Sequence, residues 1–319
     1  MHMSDALVSP PVALGVGAFA AILISTAINR VKPHLNERLP LMGVMGAFIF
    51  AAQMINFTIP GTGSSGHMTG GIVLAALLGP WAAFLVLCSV IIIQCLLFAD
   101  GGILALGCNM VNMAAISCLV AYPMIFAPFN RGSRNTIVRI FLLSILSCLV
   151  SGVLGAAIVT AETELSDITA LPTMEFLSFM LPIHMVIGVV EGIATGAVLG
   201  MVAKSRPDLL DNSTPQKHNM LIPLTLFAIV SLVVAGGLSI VASSSPDGLE
   251  WSIMKVTKGS DIVATSTLHT TADTLQQSTA LAPDYNTSWA GLAGSIILII
   301  CTLCITAIIR HRKPKHEKQ

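Results

Sequence analysis

The chain has 319 residues, 54% of them hydrophobic and only 10% charged, with a formal net charge of +0 and a mean hydropathy of +0.84. That balance excludes an ordinary water-soluble domain, and without bulk positive charge it gives no reason to expect a nucleic-acid partner. It fits an all-α, polytopic integral membrane bundle whose outer surface meets lipid.

In chain order, the first chemistry sits at residues 1 and 2. Met1-His2 puts three nitrogens within reach of one another: the terminal amine, the His2 amide and the His2 imidazole. Two fused chelate rings through these atoms fill three corners of a square plane, and a second imidazole fills the fourth. Four nitrogens in a plane suit Ni(II) or Cu(II), and also low-spin Co(II). Initiator Met is normally removed only before small residues; His2 is large, so Met1 is expected to stay, with its amine free. The N-terminus has no basic region before its first apolar run, so no cleavable leader is expected.

A first span covers 11–28, with small residues Ala13, Gly17 and Ala21 set four apart for close helix approach. Span two covers about 40–57, with Gly43, Ala47 and Ala51 in the same pattern. A Gly-rich loop, 58–68, ends in Ser65-Gly66-His67-Met68. The apolar run 71–87 breaks near Gly79-Pro80-Trp81, because Pro80 lacks a backbone donor, and a fourth span continues to about 98. Asp100-Gly101-Gly102 reads as a tight turn. Spans five to nine are placed at 104–125, 137–159, 176–202, 221–242 and 290–309, with a polar, Ser/Thr-rich segment over 243–288 and a basic tail. That makes about nine transmembrane helices. The seven Cys fall almost entirely in apolar runs and read as small buried hydrophobes, Cys301-x-x-Cys304 included.

With the N-terminus outside and the C-terminus cytoplasmic, all of the 16 Lys and Arg residues except Lys255 and Lys258 lie on or beside inner segments, as the positive-inside rule requires. The N-terminus and the 58–68 loop then share the outer face. His67 is therefore the candidate for the fourth corner, so the metal ligands expected are Met1, His2 and His67, with Ser65 beside them.

Polar residues inside spans are the other candidates. Asn109 and Asn112, i and i+3 on one helix face after Gln94 and Asp100, either bond neighbouring helices or support the loop that holds the ion. His184 and Glu191, seven apart on one face, hold either a structural or a direct role in metal handling. Gly188, Gly192, Gly196 and Gly200 make a close-packing seam, within the bundle or against a partner helix.

Met1-His-Met-Ser-Asp5-Ala-Leu-Val-Ser9-Pro10, Gly61-x-x-Ser-Ser-Gly-His67-x-x-Gly-Gly71, Gly79-Pro80-Trp81, Asp100-Gly-Gly-Ile-x-Ala-Leu-Gly107-x-Asn109-x-x-Asn112-Met113 and His184-x-x-x-Gly188-x-x-Glu191-Gly192 occur in this order. Together they resemble the substrate-capture membrane subunit of cobalt/nickel energy-coupling factor transporters (the CbiM/NikM family), over about residues 1–202. From about residue 220 the chain resembles the small accessory subunit of such systems, with Pro246-Asp247-Gly248-Leu249-Glu250-Trp251 as the mark of its PDGLE version. The resemblance implies a capture domain at 1–204, a cytoplasmic linker at 205–219 and an accessory domain at 220–319 built of two helices around an outer loop, 243–288. It implies that Met1, His2 and His67 bind Ni2+ or Co2+ as transported substrate. It also implies partners, a second transmembrane (T-type) subunit and cytoplasmic ATPases. The chain itself has no Gly-x-x-x-x-Gly-Lys-Ser/Thr phosphate loop, so it is not expected to be an enzyme. One departure is Met3-Ser4, where many relatives have Ile-Pro. An autonomous carrier or channel relaying ions through His184 and Glu191 is the alternative. An intramembrane metalloenzyme is disfavoured because the chain lacks His-Glu-x-x-His and a four-nitrogen plane leaves no open corner for a reactive water.

Overall fold

The computed structural model describes residues 1–130, 137–210, 221–237, 242–260, 262–263, 266–283 and 292–300. Cys301-x-x-Cys304, most of the ninth expected span and the basic tail lie outside the described residues. Among the described residues five helices are long and apolar enough to cross a membrane: Pro10–Val31 (α1), Pro80–Phe98 (α4), Leu106–Phe129 (α5), Ile137–Ser166 (α6) and Thr173–Ser205 (α7). The other helices are α2 (Leu35–Gln53), α3 (Gly71–Leu78), α8 (Leu221–Gly237), α9 (Gly248–Thr257) and α10 (Thr267–Thr279).

α1 starts at Ser9 with Pro10 and Pro11 in its first turn, where a missing N–H is harmless. Its buried edge runs Ala13, Ala20 and Ala27, and Ala21 is exposed. A strict four-residue step drifts around a helix of 3.6 residues per turn, so the seam follows alternating steps of four and three. Gly17 on that seam lets Gly107 approach: a Cβ on Gly107 would sit 2.5 Å from the Gly17 Cα. Exposed Leu14, Phe19, Ile22 and Ile28 line its outer face.

The 58–68 stretch is not an irregular loop. Phe57–Ile59 (β1) and Ser64–Gly66 (β2) form an antiparallel hairpin, with Thr58 opposite Ser65. The turn between them uses Gly61 and Gly63 at positive φ. Span two therefore ends at Gln53, earlier than its apolar composition suggests. α3 is only eight residues, about 12 Å of helix, and cannot cross a bilayer alone. It joins α4 through Gly79 (φ 79°), at the break expected there.

The two ends of the bundle are defined by contacts. Arg38 Nη1 donates to Leu78 O at 2.8 Å and Arg30 lies over Trp81 at 4.8 Å, which gathers the basic α1–α2 turn and the α3–α4 junction. At the other end of α2 and α4, Gln94 donates to Gln53 Oε1 (2.7 Å) and Gln53 to Thr69 O (2.8 Å).

The Gly seam of α7 packs inside the bundle, against α6. Cβ atoms on Gly188 and Gly192 would lie 2.7 and 2.3 Å from the Cα atoms of Leu149 and Ile145, and one on Gly196 would collide with Phe141. In α5, residues Met110–Phe126 wind with wider i→i+5 turns.

The accessory segment leans on the rest. α8 packs on α2, with Phe227 edge-on to Phe48 at 5.6 Å, and helical residues 292–300 lie beside it, where Ser295 donates to Ala47 O. α9 and α10 bury Leu249, Ser252, His269, Ala272 and Gln276. Their polar composition gives them no core of their own, so they complete one with the capture part. The five described cysteines, Cys88, Cys95, Cys108, Cys118 and Cys148, are buried free thiols.

Candidate functional site

The amino-terminal segment is drawn into the bundle by backbone bonds. Met3 N donates to Asn109 Oδ1 (2.7 Å), Asn109 Nδ2 donates to Met3 O (3.0 Å), and Gly102 N donates to the same oxygen (3.0 Å). Ala105 N donates to Asp5 Oδ1 at 2.9 Å. Gly101 and Gly102 allow the approach: a Cβ on Gly102 would overlap the Asp5 carboxylate, and one on Gly101 would press on Asn109 and His2. Met1 is 7% exposed, and a Cβ on Gly155 would lie 2.6 Å from its methyl carbon.

His67 arrives from the hairpin. Its strand neighbours are fixed on the accessory side, with Ser65 N donating to Pro246 O (2.8 Å) and Ser65 Oγ to Ser245 O (2.7 Å). After His67 the irregular backbone is held by Glu191. One carboxylate oxygen accepts from Thr69 N (3.0 Å), Thr69 Oγ1 (2.5 Å) and Gly70 N (2.9 Å).

These two segments bring Met1 and His67 together. The Met1 amine donates to His67 Nε2 at 3.2 Å, and His67 Nδ1 faces Met68 O at 3.2 Å. A proton on Nδ1 leaves the Nε2 lone pair facing the amine. The amine also donates to Asp247 Oδ2 at 2.5 Å. The His2 ring stacks on His67 at 5.3 Å between centroids, and its Nδ1 is 3.1 Å from Asp100 Oδ1, while its buried Nε2 has no hydrogen-bond partner. Burial, reinforced by the adjacent ammonium, pushes both imidazoles down to about 3, so both rings are neutral near pH 7. Burial works to raise Asp247, but the ammonium outweighs it and holds the carboxyl well below its usual range. The cluster borders a cavity of about 1130 Å³ lined also by Asp5, Asp100, Glu250 and Asp273, an environment that favours a cation.

The other candidates separate. Asn109 holds the amino-terminal segment, whereas Asn112, one turn on, donates to Glu162 Oε2 (2.7 Å). Glu191 supports the His67 backbone. His184 Nδ1 faces Met180 O in its own helix at 2.8 Å, its Nε2 has no hydrogen-bond partner, and Gly248 packs against the ring. Among the described residues no three His, Cys, Asp or Glu side chains are grouped to hold an ion. The sequence reading missed Asp247 as a site residue. The Asp-x-x-Glu spacing does signal its helix cap, but nothing local signals its amine partner.

Residues 2–209 match the family "Cobalt uptake substrate-specific transmembrane region" (CbiM), and residues 222–311 match the PDGLE domain. A putative metal transport protein of Haloquadratum walsbyi is 35% identical over 66% of this chain and 93% of its own length. A putative fused nickel transport protein (NikMN) of Archaeoglobus fulgidus is 32% identical over 77% and 80%. The crystal structure of a truncated transition metal transporter superposes with a TM-score of 0.56 at 30% identity, over 64% of this chain and 99% of that one. The chain is a multi-pass membrane protein that belongs to the CbiM family of cobalt-uptake transmembrane regions and carries a fused PDGLE domain.

Proposed function

We propose that this chain is the substrate-capture component of an ATP-driven, energy-coupling-factor transporter that takes up Ni2+ or Co2+ from the outer face. The observation that carries the reading is the buried approach of the Met1 amine to the neutral Nε2 of His67, 3.2 Å. The amine, the His2 amide and the His2 imidazole supply three corners, and His67 the fourth. Closing the six-membered chelate ring uses His2 Nδ1, so capture turns that nitrogen from Asp100 to the ion. A square plane favours nickel over high-spin cobalt, and relatives with both parts bear the name of fused nickel transport proteins. Glu191 spends three acceptor contacts on Thr69 and Gly70, which suits support of a binding loop better than a relay in an autonomous carrier.

In this reading the chain has about nine transmembrane helices, with the N-terminus outside and the C-terminus in the cytoplasm. The capture domain covers 1–204, the linker 205–219 and the accessory domain 220–319. ATP is hydrolysed by partner subunits that work through a T-type membrane subunit, and their motion releases the ion inward.

The test is Ni(II) and Co(II) affinity of the purified chain beside a form with two residues added before Met1, and beside His67→Ala. Both changes abolish tight binding if the four nitrogens are the site. Unchanged affinity in the extended form sinks the proposal.

A further inference from the structure

The Pro246-Asp247-Gly248-Leu249-Glu250-Trp251 stretch seats the accessory part on the capture part residue by residue. Pro246 O accepts from Ser65 N. Gly248 has no room for a side chain: a Cβ there would lie 2.8 Å from Ile187 Cδ1 and 3.1 Å from His184 Cε1. Leu249 is buried, Glu250 Oε2 accepts from Asp247 N (3.3 Å), and Trp251 Nε1 donates to Thr62 O (2.9 Å). The two oxygens of Asp247 divide their work. Oδ1 caps α9, accepting from Leu249 N (2.8 Å) and Glu250 N (2.9 Å). Oδ2 leaves the accessory part altogether and holds the Met1 amine.

A helix cap needs only one oxygen, so the second contact is not explained by folding α9. With Met1 retained and its amine free, as the capture reading requires, non-covalent partners must fix the direction of the amine. Two partners fix it here, His67 Nε2 and Asp247 Oδ2.

We propose that Asp247 is a positioning residue of the capture site: through Oδ2 the accessory part holds the terminal amine against His67, so that an arriving Ni2+ or Co2+ meets a pre-aligned donor. This rests on the capture reading given above. A dipositive cation entering the plane displaces the amine's hydrogen-bonded contacts, and Asp247 is left facing the cationic centre from the cavity side. The accessory domain thus acts on the site directly, through one carboxylate oxygen.

Asn and Ser both cap helices well, so they separate the two roles. Asp247→Asn keeps an oxygen for Leu249 and Glu250 and removes the negative charge. Asp247→Ser keeps a cap and is too short to reach the amine. The experiment uses the full metal-free chain. The Met1 amine is labelled with an acylating reagent, Ni(II) capture is followed in a stopped-flow instrument, and Trp251 fluorescence reports that α9 stays seated. Hydrogen bonds to charged groups are strong enough for about a tenfold change. Both variants should therefore label the amine about tenfold faster and capture Ni(II) about tenfold more slowly, with Trp251 fluorescence unchanged. Labelling and capture at wild-type rates in both variants overturn the proposal. If the unaltered chain captures neither Ni(II) nor Co(II), the capture reading fails instead, and the labelling contrast still reports whether Asp247 holds the amine.

Discussion

Asn109→Leu is the substitution that separates support of the metal site from support of the fold. Asn109 makes two bonds to one backbone residue, accepting from Met3 N at 2.7 Å and donating to Met3 O at 3.0 Å. Leu fills a similar volume and removes both. Met3 O keeps its bond from Gly102 N at 3.0 Å, so only the Met3 N–H is stranded, in a residue that is 0% exposed. A buried donor left unpaired costs about 1–3 kcal/mol. The amine reaches His67 only while the segment lies where Met3 is tied, so this loss should fall on capture. At about 1.4 kcal/mol per tenfold, Ni(II) affinity should drop about 5- to 150-fold. Asn112→Leu is the control. Its side-chain amide donates to Glu162 and not to the amino-terminal backbone, so thermal stability should fall while affinity stays within about twofold. The assay is competition against a metallochromic chelator. Asn109→Leu with wild-type affinity, or Asn112→Leu with the larger loss, would refute the assignment.

Gly66→Ala should weaken capture by displacing the strand that carries His67, because its Cβ would lie 2.6 Å from Ile187 Cγ1; such overpacking costs about 1–3 kcal/mol. The double variant with Ile187→Ala should recover most of the lost affinity, and failure to recover removes Ile187 as the cause. Gly192→Leu should lower the melting temperature severely with no rescue from trimming a neighbour, since the clash is with the Ile145 backbone, 2.3 Å from the added Cβ; near-normal melting would place the seam elsewhere. Affinity for Ni(II) should rise with pH. The His2 and His67 rings, both pushed down to about 3 by burial and then by the ammonium, are already neutral and release no proton between about pH 5 and 8. The amide and the ammonium do release protons, so binding tightens by up to about tenfold per pH unit for each one displaced. A flat profile would mean that they are not ligands.

Much of the helical frame was legible because apolar runs and Gly or Pro breaks are local signals. The breaks at Gly79-Pro80 and Asp100-Gly101-Gly102 stand where the chain suggests, and the Gly188–Gly200 spacing marks a seam. The partner of that seam, α6, was not readable, since a stripe of small residues says only that something comes close. The hairpin was missed for a related reason. Its strands are three residues long, Phe57–Ile59 and Ser64–Gly66, and the second is Ser-Ser-Gly, with none of the β-branched or aromatic alternation that marks a strand. It exists because it has backbone partners on both sides, β1 on one and Pro246 on the other.

Several polar side chains sit where nearby irregular backbone needs a partner. Helices satisfy their own backbone, but the extended segments around the Met1–His67 cluster cannot, and a buried N–H there needs an acceptor from elsewhere. Asn109 answers Met3. Glu191 answers Thr69 and Gly70, 122 and 121 residues away in sequence. Gln53 answers the Thr69 carbonyl and is itself held by Gln94. Asp247 answers the amine, 246 residues away. A polar side chain in an apolar helix that bonds backbone outside the helices therefore reports an irregular segment beside it. By that rule Asn109 and Glu191 belong to the site because the backbone they hold carries its nitrogens, and Asn112, which holds only Glu162, belongs to the packing between α5 and α6.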